Sequence, residues 1–242
     1  METQKKMPPV IVAHVGKGYE DRARHMERML GDAGLDFSFM LAGNKSDLTE
    51  EVLDKWFTDF MKRASAQTSC AYKHLLICKK IVDDNLPGAL VMEDDAVIFP
   101  KFTTLLPKAL EQLESRGDEP ALLSLEDSRL RFVPRSMRRK GWYVYPGDRD
   151  RFTGCYYLNR AGAEAILCYA SSHKVDRPID HFHRLMLDEG LLKYYWMQPV
   201  IATQGSCTGM FQTTLSSARF GFIYPLKWKL KLAYRKMLYF FR

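Results

Sequence analysis

The sequence predicts an α/β domain organised around a largely parallel sheet. Three observations predict it. Short apolar runs bounded by turn residues alternate with longer segments of helical periodicity through most of the chain. One run, Ala89-Leu-Val-Met92, follows the turn signal Leu86-Pro87-Gly88 and ends in three acids, Glu93, Asp94 and Asp95, before apolar residues resume at Ala96. Neither an internal repeat nor a low-complexity linker breaks the alternation.

The elements follow in order. Val10 to Val15 reads as a first strand after Pro8-Pro9. Gly16-Lys17-Gly18 lacks the spacing of a phosphate loop. From Glu20 to Leu30, Ala23, Met26, Met29 and Leu30 fall on one helical stripe, closed by Asp32 and Gly34. Phe37 to Ala42 is a second strand with Gly43-Asn44 as its exit. Asp47 and Glu50 resemble a capping box, and the expected helix behind them carries Val52, Leu53, Trp56, Phe57, Phe60 and Met61 as a core face. A helix from Cys70 to Asp83 delivers the chain to the acidic strand. Phe102 to Leu113 reads as helix and Ala121 to Leu125 as strand. Arg129 to Lys140 is a charge run, read as a solvated loop or as a seat for an anion. Trp142 to Tyr145 and Gly154 to Leu158 are expected strands, Ala161 to Tyr169 a helix, Pro178 a helix start, and Tyr194 to Thr203 one or two closing strands.

Of the 242 residues, 46% are apolar and 12% aromatic, which excludes wholesale disorder. The net charge of +7 is local. No acid follows Glu189, and eight basic residues do, leaving the rest of the chain close to neutral. A basic pI is therefore no argument for nucleic-acid binding, and none is expected. The five cysteines form no CxxC, so neither a disulfide framework nor a zinc site is expected. The N-terminal segment is too short for a signal peptide or a membrane span. The expected location is cytoplasmic.

Three carboxylates at one strand end repel each other and require a cation or water. Alternation along an extended backbone puts Glu93 and Asp95 on one face and Asp94 on the other. A pair of oxygens so placed suits Mg²⁺ or Mn²⁺ that also holds a diphosphate. Alternatively, the acids form a solvated turn. A Walker B reading of the same strand fails for want of a phosphate loop.

Several segments then fall into one order. Tyr19 to Leu30 with Phe37 to Gly43, Ser69-Cys-Ala-Tyr-Lys-His74, Leu90-Val-Met-Glu-Asp-Asp-Ala96, Thr153-Gly-Cys-Tyr-Tyr-Leu-Asn-Arg-Ala-Gly162 and Pro178-Ile-Asp-His181 resemble the motifs of glycosyltransferase family 25. That family contains bacterial lipooligosaccharide galactosyltransferases and the animal enzymes that glycosylate collagen. Ser69 and Lys73 depart from its Gly-Cys-x-x-Ser-His pattern, which leaves a non-catalytic membrane-surface adaptor with a degenerate transferase fold as the alternative. The resemblance implies a GT-A type nucleotide-sugar transferase fold over residues 1–218. It also implies a UDP-sugar donor, inversion at the anomeric carbon and a glycan or glycolipid acceptor. It implies Mn²⁺ or Mg²⁺ on Glu93 and Asp95, and donor contacts from Arg22, Arg24, Ala42, Gly43, His74, Glu93, Asp94, Thr153 and Gly154. The candidate base is Asp180, in the first turn of a helix, where the dipole favours an ionised carboxylate. Glu126 and Asp127 are alternatives. His181 and His183 read as orienting or surface residues.

Residues 219–242 form a basic amphipathic segment. Wound as a helix, Leu226, Leu230, Ala233, Met237, Phe240 and Phe241 share one arc. Trp228, Leu232 and Tyr239 form a smaller strip, and lysines and arginines lie between them. Basic and aromatic residues together suit an anionic membrane surface, the inner face of the inner membrane being the expected one. A tail packed on its own domain is the alternative. Leu226 to Leu232 also alternates strictly enough to pass for a strand.

Overall fold

The structure is a computed structural model, and it describes residues 7–211 and 224–242. The chain runs β1 (Val10–Ala13), α1 (Glu20–Asp32), β2 (Phe37–Met40), α2 (Glu50–Trp56), α3 (Ala66–Asp83), β3 (Gly88–Glu93), β4 (Ala96–Ile98), α4 (Phe102–Glu114), β5 (Ala121–Ser124), β6 (Val144–Pro146), β7 (Cys155–Asn159), α5 (Arg160–His173), α6 (Ile179–Asp188), β8 (Lys193–Met197), β9 (Ala202–Gln204), α7 (Gly205–Thr208) and α8 (Tyr224–Phe240). Seven strands form one sheet in the order β2-β1-β3-β7-β5-β8-β6, and β4 pairs with β9 in a separate antiparallel ribbon. β1 is parallel to β2 and β3, and β5 to β8. β7 runs antiparallel to both β3 and β5, and β6 antiparallel to β8. Five strands therefore point one way and two the other, which is the mostly parallel, mixed α/β sheet expected.

Period-2 alternation divides the core. In β1, Val10 and Val12 pack with Met26 and Leu30 of α1 and with α4, while Ile11 and Ala13 face Leu75, Cys78 and Ile81 of α3. In β3, Leu90 and Met92 join the first layer, Ala89 and Val91 the second. Strands buried on both faces read as continuous apolar runs, which is why VIVA and ALVM stand out. Each of the buried Val, Ile, Leu and Met side chains in these strands stabilises the fold by about 1.5–3 kcal/mol.

Several expectations need correction. The capping box lies one turn earlier, between Asn44 and Asp47, and α2 is capped by Thr49. α2 stops at Trp56; Phe60 and Met61 belong to a separate 3-10 turn, Met61 buried and Phe60 exposed. The helix into the acidic strand starts at Ala66, because the Ser65 hydroxyl accepts the Thr68 amide and caps it. The C-terminal segment is helix rather than strand, and no described helix is long and apolar enough to cross a membrane. The expected boundary at residues 218 and 219 lies outside the described residues.

Topology positions the site. From β1 the chain moves outward to β2, then returns through α3 to place β3 on the other side of β1. That reversal is a switch point, and ligand crevices of α/β sheets open at the carboxyl ends of the two strands flanking it. Here those ends are Ala13 and Glu93, which are partners in register.

Candidate active site

A cleft of about 380 Å³ opens at this point. Its floor is Ala13, Glu93 and Asp94. Arg22 and Tyr19 of the α1 entry form one wall, Ser69, Cys70 and Lys73 of α3 another, and Asn44 to Ser46 close it beyond β2.

β3 ends at Glu93, and Asp94 and Asp95 make the turn into β4. The alternation argument therefore stops at Glu93, and Glu93 and Asp94 both line the cleft. Asp94 accepts from the Arg22 guanidinium at 2.6 Å and bonds His14 Nδ1 at 2.8 Å. Burial pushes its carboxyl up, but the His14 bond and the Arg22 charge together hold it below its ordinary value. Glu93 accepts from Thr153 Oγ1 at 2.6 Å and from Gln204 Nε2 at 3.1 Å. Asp95 lies behind them, almost wholly buried. Its Oδ2 accepts the Ser206 amide at 3.1 Å, and its Oδ1 has no partner among the described residues. Burial, then the nearby Glu93 charge, pushes it up to about 6. An orphaned carboxylate oxygen beside a second carboxylate fits a divalent cation held by Glu93 and Asp95.

The donor-side residues expected from sequence separate into two groups. Arg22 reaches the cleft. Arg24, two residues on, lies on the exposed face of α1 in an ion pair with Asp21 and does not line it. A helix turns by about 100° per residue, so these two arginines point far apart. The Ala42 carbonyl accepts from Lys73 Nζ at 2.9 Å, along with those of Leu41 (3.1 Å) and Met40 (3.3 Å). Where the motif it resembles has Ser, this chain has a lysine whose ammonium gathers three strand-end carbonyls. Burial lowers it to about 8. Gly43 has a φ of +87°, which a side chain would strain, and its carbonyl accepts from Ser69 Oγ at 2.7 Å. Ser69, the other departure from that motif, thus also holds the β2 exit. His74 is fully buried, with Nδ1 on Tyr156 Oη at 2.7 Å and Nε2 at 3.7 Å from Glu93. The Gly154 carbonyl accepts the Glu93 amide at 3.0 Å, and a Cβ on Gly154 would overlap the Gln204 side chain.

Behind this layer Glu126 is sealed. One oxygen accepts the Gly154 amide at 2.8 Å, the other has no partner among the described residues, and burial pushes it up to about 8. Burial thus favours its protonated form, and its bond to the Gly154 amide positions the Thr153–Gly154 turn. Asp127 is buried too and raised by that burial. Asp180, in the first turn of α6, keeps the expected position. Its Oδ2 accepts from Arg129 at 3.1 Å, and burial raises it against the opposing charges of His181 and Arg129. His183 is no surface residue: it is fully buried against Tyr156, and burial depresses it to about 3.

The 129–140 charge run divides. Arg129 and Arg131 turn inward onto Asp150, Arg129 also onto Asp180. Arg135 and Arg138 to Lys140 stay exposed. Gln204 and Ser206 carry no local mark in the sequence, because each meets its acid, Glu93 or Asp95, from 111 positions away; Asp150 carries none either, its partners Arg129 and Arg131 lying in a charge run with several candidates.

The model of glycosyltransferase family 25, described as an LPS biosynthesis protein family, matches residues 17–183. The chain belongs to that family. It is a glycosyltransferase with a GT-A-like mixed sheet, as the ordered motifs implied. No curated protein matches this glycosyltransferase in sequence. Among solved structures it is similar to a glycosyltransferase involved in the glycosylation of the major capsid of PBCV-1, at 6% identity and a TM-score of 0.47, covering 96% of this chain and 100% of that one. It is also similar to a putative glucose-1-phosphate thymidylyltransferase from Bacillus anthracis, at 15% identity and a TM-score of 0.40, covering 87% and 77%. The inositol-1-phosphate CTP transferase from T. maritima is similar at 13% identity and a TM-score of 0.41, covering 95% and 96%.

Proposed function

We propose that this glycosyltransferase moves a sugar, galactose being the first candidate, from a UDP-sugar to a lipooligosaccharide- or lipopolysaccharide-type acceptor with inversion. The observation that carries the reading is the cleft at the β1/β3 switch point, where Glu93 and Asp94 meet a wall of cations. Lys17, Arg22 and Lys45 face the cleft and balance the diphosphate's charge. Lys73, tied to the β2 exit, holds the backbone of that wall in place. A divalent cation on Glu93 and Asp95 supplies Lewis-acid stabilisation to the departing nucleotide when bound. Asp180 takes the proton of the acceptor hydroxyl as the new bond forms. Its burial favours proton uptake, and Arg129 fixes the orientation of the carboxylate.

The acceptor's lipid end motivates a membrane-facing tail. Leu226, Leu230, Met237 and Phe240 of α8, and Phe241 just beyond its end, are exposed. Trp228 and Leu232 instead line a 180 Å³ cavity with Asp127 and Thr203, and Tyr239 packs edge-on against Phe132. The smaller apolar strip thus seats the helix, while the larger arc faces outward beside Lys227, Lys231 and Arg235. Arg135 stacks on Phe240 at 4.0 Å, joining the exposed part of the basic run to the same face. An anionic bilayer matches it, each basic group near such a surface contributing roughly 1 kcal/mol.

The test is metal-stimulated release of UDP from a panel of UDP-sugars. Asp95→Ala is expected to slow it by about 10³-fold, or ~4 kcal/mol of barrier. Full activity in that variant would end the metal assignment. Removing residues after 224 is expected to abolish flotation with anionic vesicles while UDP release persists. Equal flotation by the truncated form would refute the docking.

A further inference from the structure

Cys70 and His74 are four apart on α3 and therefore share a face, the spacing with which paired ligands on one helix turn hold a metal. Glu93 arrives opposite them from the end of β3. Cys70 Sγ, His74 Nε2 and a Glu93 carboxylate oxygen all lie within 4.8 Å of one another. We propose that these three residues form a site for a soft divalent cation of the Zn²⁺ class, which shares Glu93 with the oxygen pair Glu93 and Asp95 but not its partner.

Three further observations point to a ligand. His74 Nε2 is buried without a hydrogen-bond partner among the described residues, although the ring is fully enclosed. Its other nitrogen, Nδ1, is engaged by Tyr156 Oη at 2.7 Å; with the proton on Nδ1, Nε2 presents a lone pair toward Glu93. Glu93 is steadied in turn by Thr153. Both ligands thus carry the outer hydrogen bonds that fix ligands in built metal sites. The donor set selects the ion. Mg²⁺ and Mn²⁺ take oxygen, whereas thiolate, imidazole and carboxylate together suit Zn²⁺ at about 2.0–2.3 Å per ligand. Ligands around such an ion stand roughly 3.3–3.8 Å apart, and the His74–Glu93 separation is already 3.7 Å. Cys70 closes the site by a shift of the sulfur, with its proton released to water. The fourth position faces the cleft that Cys70 and Glu93 line.

Zn²⁺ bound here takes Glu93 away from the neighbouring oxygen site and obstructs the cleft floor. That consequence, inhibition of transfer, rests on the transferase reading; the binding does not. The experiment is calorimetric titration of Zn²⁺ into the metal-stripped full chain, with Co²⁺ as an optical probe. The expected result is one Zn²⁺ per chain and a thiolate-to-Co²⁺ charge-transfer band. Cys70→Ala is expected to lose the band and weaken Zn²⁺ at least ~100-fold, while Cys168→Ala changes neither. His74→Asn is a second arm. If burial makes it unfold, Cys70→Ala, at a half-buried position on the cleft wall, still decides. Equal Zn²⁺ affinity in wild type and Cys70→Ala, or the absence of a thiolate band in wild type, would overturn the site. Loss of UDP release by every form, with Zn²⁺ binding intact, would instead count against the transferase reading alone.

Discussion

Two acid clusters follow strands that point the same way, Glu93-Asp94-Asp95 after β3 and Glu126-Asp127 after β5, and the fold treats them oppositely. The first meets Arg22, His14 and an open cleft, and Asp94 is held ionised there. The second is enclosed, and burial raises Glu126 to about 8 although one of its oxygens accepts the Gly154 amide. Identical side chains thus become a charged floor in one place and a neutral wedge in the other. Depth decides: an ionised carboxylate survives burial only with cations or donors to replace its water.

The largest expected effect separates the clusters by stability. Asp94→Ala removes the carboxylate that both Arg22 and His14 bond, and is expected to cost about 3–5 kcal/mol in urea unfolding. Glu126→Gln keeps an acceptor for the Gly154 amide and removes no charge at neutral pH, so it is expected to cost ~1 kcal/mol or less. Equal costs would break the contrast. The next effect is on rate. Asp180→Asn is expected to lower kcat by about 10²–10⁴-fold with little change in the donor KM, whereas Glu126→Gln is expected to stay within a few-fold of wild type. A collapse of kcat in Glu126→Gln with Asp180→Asn active would transfer the base to the enclosed cluster.

The same contrast explains how much could be read beforehand. Elements were legible because the sheet is buried on both faces and the helices on one, so VIVA, ALVM and the stripe of Met26 and Leu30 announce themselves. The acidic triplet was legible for a similar reason, being flanked by apolar residues that deny it a free surface. Direction was not. Alternation separated Glu93 from Asp94 only on the premise of continued strand, and the turn at Asp94-Asp95 removed that premise. Arg22 and Arg24 are equivalent in sequence, and only helix phase against the cleft tells them apart. Nor does any local pattern show that Thr153 and Gln204 converge on Glu93 from 60 and 111 residues away. Cys70 and His74 carried a visible four-residue spacing, but their third partner belongs to another element.

The smallest effect sharpens the comparison through pH. Glu126 is raised from an ordinary 4.5 to about 8, so the folded protein holds a proton that the unfolded chain has released. Its contribution is fully present below the unfolded pKa and is lost as pH rises from about 4.5 through about 8. Asp94 does the reverse: its depressed carboxyl stabilises the fold above its ordinary value, and that contribution is lost only in acid. His183 adds a second acid-side loss, being neutral when buried and raised in affinity for protons on unfolding below about 6.5. Asp95, raised to about 6, and Lys73, lowered to about 8, also titrate near this window, but equally in wild type and in Glu126→Gln. Between pH 6.5 and 8 the difference between the two proteins therefore isolates the Glu126 slope. Wild type is expected to lose stability there more steeply than Glu126→Gln, by up to about 1.4 kcal/mol per pH unit. Urea midpoints of the two proteins at quarter-unit intervals measure the difference. Parallel curves would mean that Glu126 is already ionised in the fold, which would make it a second charged cluster and erase the distinction drawn between the two strand ends.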